Sequence, residues 1–166
     1  MRSLAPTLTF LRGAALVALV VVLAACSRNP STGVGNLGPN GGPPGSQQEF
    51  LVTVGDRVFF DTDSSNLSPT AVATLDKQAA WLNRYTNYQH ILIEGHADER
   101  GTREYNIALG ARRANVVMNY LISKGVSASR LSMKSFGKER PVAICDDISC
   151  WSQNRRAVIV LTNAGV

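Results

Sequence analysis

The stretch His90-Ile91-Leu92-Ile93-Glu94-Gly95-His96-Ala97-Asp98-Glu99-Arg100-Gly101-Thr102 changes character twice in thirteen residues. Ile91, Leu92 and Ile93 are an apolar run of the length of a buried strand. The polar cluster Glu94 to Gly101 follows it. From about Thr102 to Ser123 the pattern turns helical, with Gly125 just beyond as a terminator. Strand, polar loop and helix in that order form the basic unit of an α/β fold, and ligands often sit at such a loop.

The flanks repeat the unit. Upstream, Leu51, Val52, Val54, Val58, Phe59 and Phe60 read as an early strand broken near Gly55–Asp56, followed by a polar loop from Asp61 to Asn66. Ser68-Pro69 pairs a helix cap with a residue that needs no amide partner. Val72, Leu75, Ala79 and Leu82 then recur at helical spacing as far as Arg84. Downstream, Leu131, Met133 and Phe136 predict a third strand and Ala157 to Leu161 a fourth. The expected fold is an α/β two-layer sandwich over residues 49–166, ordered βαβαβ(short α)β. Its sheet is a mixed four-stranded one with the helices on one face. A domain of this size buries roughly two-thirds of its unfolded surface, so no cofactor is expected for stability.

Composition agrees with one globular domain: 45% apolar and 17% charged residues in 166, with a formal charge of +5. Without residues 1–25, which hold Arg2 and Arg12, 15 basic and 12 acidic residues leave +3. That mild bias, with no long basic run, predicts no nucleic-acid partner. Ala14 to Leu23 is an uninterrupted apolar run, shorter than the roughly 20 residues a spanning helix needs. Residues 1–25 therefore read as a secretory signal. Leu23-Ala24-Ala25-Cys26 resembles a bacterial lipobox, making Cys26 the expected lipidation site; an ordinary signal cleaved after Ala25 is the alternative. Ser27, rather than Asp, fits sorting to the outer membrane. Residues 26–48 then form a lipidated cysteine and a linker, since Arg28 to Gln48 holds six Gly and four Pro and little that could form a core. A flexible chain of that length holds a domain about 25 Å from the lipid on average.

The candidate site begins with one misplaced charge. At 100° per residue, Arg113 lies about 40° and Asn106 about 60° from Leu109, inside the arc that Val116, Val117 and Leu121 mark as buried. An arginine there needs a partner or must snorkel to solvent. The preferred reading sets the Arg113 guanidinium at the mouth of a cleft beside the Asp98 loop. Arg113 would grip a carboxylate, Asp98 would accept from an ammonium, and Asn106 would orient loop or ligand; the pair would recognise a zwitterion.

These residues resemble the OmpA-like peptidoglycan-binding domain. The likeness runs through Gly95-His96-Ala97-Asp98-Glu99-Arg100-Gly101, Asn106, Leu109, Arg113 and Ala114, and extends to Ser135–Pro141 and Asn154–Val158. It implies that the ligand is the peptidoglycan stem peptide, recognised at diaminopimelate by Asp98 and Arg113, with Asn106 and Ala97 in the site. Phe60, Asp61, Thr62 and Asp63 would line the opposite wall. His96, Leu109 and Arg155 would stand behind the contacting residues. With the lipobox, the chain is similar to the lipoprotein branch of the family, which implies anchorage in the outer membrane, a domain in the periplasm, and TolB and TolA as protein partners. Envelope integrity and cell division are the implied roles.

Three departures matter. Ala97 and Gly110 replace the Thr and Ser that many members carry, and Thr62 stands where an aromatic residue is common. Cys145 and Cys150 are additional, and in an oxidising periplasm could close a small disulfide loop; free thiols or a transient metal pair are the alternatives. The chain has 2 histidines, His90 and His96, which leaves a three-ligand zinc site unsupported. His96 is expected to order the turn by hydrogen bonding to backbone. The reading is a binding module, not an enzyme. Its alternatives are a lipoprotein hydrolase of cell-wall peptides using His96 and nearby carboxylates, or a protein-interaction lipoprotein.

Overall fold

The computed structural model describes residues 42–162. The expected signal, Cys26 and most of the linker lie outside the described residues. Besides short helical turns, the elements are β1 (Arg57–Phe59), α1 (Pro69–Arg84), β2 (His90–His96), α2 (Arg103–Ser123), β3 (Leu131–Gly137), α3 (Ile148–Asn154) and β4 (Arg156–Thr162).

The helix ends follow from local chemistry. Ser68 Oγ accepts from the Ala71 amide at 3.1 Å with Pro69 in the first turn of α1, and Thr102 Oγ1 accepts from the Tyr105 amide at 3.2 Å to start α2. At the far end of α2, Gly125 (φ +91°) lets its own amide reach the Ile122 carbonyl while Val126 N reaches Leu121 O at 3.1 Å. This double closure needs a left-handed residue, which glycine supplies without a Cβ penalty.

The sheet order is β1-β4-β2-β3, with β4 antiparallel to β1 and β2, and β2 parallel to β3. Ile93 sits opposite Ile159 on one side and Met133 on the other. Strand alternation turns Ile91, Ile93, Ala157, Ile159 and Leu161 to the helices, where all are buried. Leu75, Leu82, Val117 and Leu121 meet them with no exposed surface. The result is a two-layer α/β sandwich with a mixed sheet.

Helix and strand touch most closely at two glycines. A Cβ built on Gly95 would overlap the Gly110 carbonyl oxygen, and one on Gly110 would overlap Ser135 Oγ. Ser135 Oγ itself donates to the Ile107 carbonyl at 2.7 Å. The first half of α2 thus rests directly on the end of β2, next to the Asp98 loop.

One sequence expectation fails and one holds only in part. Leu51, Val52 and Val54 are not strand: Gln47–Glu49 is a helical turn that continues as a wider, π-type turn over Phe50–Gly55, and only Arg57–Phe59 pairs with β4. Phe50 and Val54, four residues apart, face the core together while Leu51 and Val52 are exposed, and Gly55 (φ +87°) ends the turn. The Phe50 ring lies 4.8 Å from Trp81, and Glu49 Oε2 accepts from Trp81 Nε1 at 2.9 Å. The last linker residues are therefore held to the domain, with the Gly45 carbonyl accepting from Tyr88 Oη at 2.8 Å. Phe136 is also out of phase with Leu131 and Met133. It faces the open side of the sheet and stacks on His96 at 5.6 Å, next to an irregularity in the β2–β3 register at Gly95/His96.

Replacing Gly95 by Ala forces α2 away from β2. Overpacking of this kind costs roughly 1–3 kcal/mol, and urea unfolding of Gly95→Ala is expected to show at least that loss. A wild-type midpoint would mean the contact is looser than described.

Candidate functional site

The loop after β2 is fixed on several sides. Ala97 N donates to Gly137 O at 2.8 Å, Asn106 Nδ2 to Arg100 O at 2.7 Å, and Lys138 Nζ to Glu99 O at 3.0 Å and Gly101 O at 2.6 Å. Across from it lies the loop after β1, where Asp63 adopts a left-handed φ of +54° and accepts from Tyr105 Oη. Between the two loops and α2 opens a cleft of about 280 Å³, lined by Thr62, Asp63, Asp98, Arg100, Gly101, Tyr105, Asn106, Leu109 and Arg113.

Arg113 forms the floor rather than the mouth. It has no exposed surface, and its guanidinium donates to three backbone carbonyls: Ser64 through Nε at 2.8 Å, His96 through Nη1 at 2.8 Å and Asp61 through Nη2 at 3.0 Å. The Phe60 ring lies 5.1 Å from it. Burial, and then the nearby Arg155 charge, lower its pKa to about 10 against the opposing pull of Asp98 and Asp63. It stays cationic at neutral pH. The expectation of a guanidinium at the cleft mouth is thereby corrected: three carbonyls are closer partners than solvent.

Asp98 is not free either. Its carboxylate takes Arg100 Nη2 at 2.7 Å and Arg100 Nε at 3.2 Å, the Arg100 amide at 3.2 Å, and Arg155 Nη1 at 3.3 Å. Burial alone would raise its pKa, but the hydrogen bonds from Arg100 and Arg155 outweigh burial and hold the carboxyl below the usual range. Arg155 also donates to Phe60 O at 3.0 Å, tying β1 to the site from behind.

The structure thus gathers Thr62, Asp63, Asp98, Asn106, Leu109 and Arg113 around one cleft. Phe60 and Asp61 line a neighbouring groove with Arg155, and Ala97 lines a third, more apolar one beside Cys145. His96 is buried, and neither ring nitrogen has a hydrogen-bond partner among the described residues, with Nε2 3.4 Å from Glu94 Oε2 but misaligned. Its role in ordering the turn is carried by its carbonyl, through Arg113, not by the ring. Cys145 and Cys150 are joined as a disulfide with Cα atoms 5.6 Å apart. The next residue, Trp151, donates to Glu99 and lies 4.1 Å beneath the Arg100 guanidinium. Arg100 and Tyr105 were missed from sequence. Arg100, two residues from Asp98 on an anion-rich turn, carried a readable signal; Tyr105 carried none.

Residues 59–155 match the model of the OmpA family. A peptidoglycan-associated lipoprotein of Mesorhizobium japonicum is 58% identical over 154 residues, covering 91% of this chain and 91% of that one. The protein of the same name from Agrobacterium fabrum is 56% identical over 99% of this chain and 96% of its own. The chain belongs to the OmpA family, among the peptidoglycan-associated lipoproteins. Among solved structures, the peptidoglycan-associated lipoprotein from Burkholderia pseudomallei superposes with a TM-score of 0.61 at 44% identity, over 63% of this chain and 88% of that one. In this family member the matching segment begins at β1 and ends at Arg155, so it contains every wall of the cleft.

His96 leaves a measurable trace. Burial first, then the charges of Arg156, Arg140 and Arg57, lower its pKa from 6.5 to about 3. Between those values the unfolded chain binds a proton that the folded one refuses, so stability falls as pH drops through this window. One proton gives at most about 1.4 kcal/mol per pH unit. Urea midpoints of wild type should decline from about pH 6.5 to 4.5, where Asp98 is still ionised, and His96→Leu should flatten that decline. An unchanged slope in the variant would remove His96 from the account.

Proposed function

We propose that this chain is an outer-membrane lipoprotein whose periplasmic domain binds peptidoglycan non-covalently, at the diaminopimelate residue of the stem peptide. One observation carries the reading: an ionised carboxylate, Asp98, and a buried guanidinium, Arg113, line the same cleft in a chain related throughout to peptidoglycan-associated lipoproteins. A zwitterionic side chain can offer its ammonium to Asp98 and set its carboxylate over the cleft floor, where the buried Arg113 supplies positive charge while its guanidinium donates to three carbonyls. Asn106 orients the loop through Arg100 O.

Lipid on Cys26, a linker and reversible wall binding make a strap between membrane and wall. Many copies share load through avidity while each releases and rebinds. By family likeness we assign the chain to the Tol–Pal system, with TolB and TolA as partners, and to envelope integrity and division. The hydrolase alternative is weaker because its catalytic candidate, His96, is buried against Phe136 and does not line the cleft.

Calorimetric titration with a diaminopimelate stem peptide tests the site. Asp98→Asn should bind at least about 2 kcal/mol more weakly, the cost of losing one member of a desolvated charge pair. Equal affinity in a folded variant sinks the assignment. Mass analysis of recovered peptide separates the classes: a binding module returns it intact, and a hydrolase does not.

A further inference from the structure

Arg100 stands where an ammonium-bearing ligand would have to go. Its Nε and Nη2 form a fork on both oxygens of Asp98, at 3.2 and 2.7 Å. The same Nη2 lies 3.4 Å from Thr62 Oγ1 on the opposite wall, so the side chain spans the cleft mouth. Arg113 and Arg155 are buried, whereas the Arg100 side chain is 40% exposed, resting on the Trp151 ring. An aromatic face holds a guanidinium without fixing its direction, so Arg100 can pivot on Trp151. When it does, each oxygen of Asp98 loses one donor, Oδ1 keeping the Arg100 amide at 3.2 Å and Oδ2 keeping Arg155 Nη1 at 3.3 Å, so the carboxylate stays ionised and aimed.

We infer that Arg100 is an internal stand-in for the ligand's ammonium and selects ligands by exchange. A ligand that brings an ammonium alone must displace a forked ion pair and gives the freed guanidinium nothing in return. A ligand that carries a carboxylate beside its ammonium restores that pair, with Arg100 closing on the carboxylate from the rim above the positive charge that the buried Arg113 lends the floor. The competitor built into the cleft therefore discriminates against lysine-type side chains and in favour of diaminopimelate-type ones. This rests on the reading of the cleft as the stem-peptide site.

The test uses the full-length chain in detergent and two stem peptides identical except for a terminal diaminopimelate or lysine. Wild type should prefer the first. In Arg100→Gln the lysine peptide should bind more tightly and the diaminopimelate peptide more weakly, narrowing the ratio about tenfold. A purely structural role would weaken both equally, and that result, an unchanged ratio, or a wild-type ratio near one overturns the inference. Asp98→Asn separates the two levels. If it binds like wild type, the cleft reading itself fails. If it loses both peptides while Arg100→Gln keeps the wild-type ratio, Arg100 alone is misassigned.

Discussion

The Arg113 guanidinium holds the site together. It leaves the middle of α2 and reaches carbonyls at Asp61, Ser64 and His96, which belong to the loop after β1 and to the end of β2. Burying a cation costs several kcal/mol unless its donors are satisfied. Three charge-assisted hydrogen bonds offset that cost only when both loops are in position. The two walls of the cleft are thereby set by one side chain, and the same cation gives the floor its charge.

Charge balance around this floor is local and tight. Asp98 is flanked by Arg100 and Arg155, and the Arg155 charge lies close enough to Arg113 to make that guanidinium's charge costlier. Burial of the carboxylate is tolerated because two guanidiniums donate to it. The arginines differ in freedom: one on the rim, two behind. The short α3 and its disulfide supply the rim's support through Trp151, which receives Arg100 on its face and donates to Glu99.

Packing supplies the other half of the positioning. Because Gly95 and Gly110 let backbone meet backbone, α2 lies against β2 closely enough for Asn106 to brace the Asp98 loop and for Arg113 to reach the His96 carbonyl. A Cβ at either position would overlap atoms of the facing element, so helix and strand could not lie this close. The core beneath, from Leu75 to Leu161, makes that contact rigid.

Most of the architecture was legible in the chain because it rests on local rules. Ser68-Pro69, Thr102 and Gly125 mark helix ends through their own backbone chemistry, and Ile91–Ile93 and Ala157–Leu161 are apolar in a way only a buried strand tolerates. Asn106 and Arg113 were visible as polar groups inside an apolar helix arc, and Asp98 as a carboxylate in the polar loop between strand and helix. What spacing could not reveal was which groups satisfy one another. Leu51 to Val54 has strand-like side chains, yet Trp81, distant in sequence, grips Glu49 and Phe50 just before it and holds the segment in a turn. Arg113 looked like a side chain at a cleft mouth waiting for a carboxylate, and His96 like one seeking the backbone. Their partners come from loops brought near only when the sheet closes, and the energy of a buried charge is decided by those neighbours rather than by its own position in the sequence.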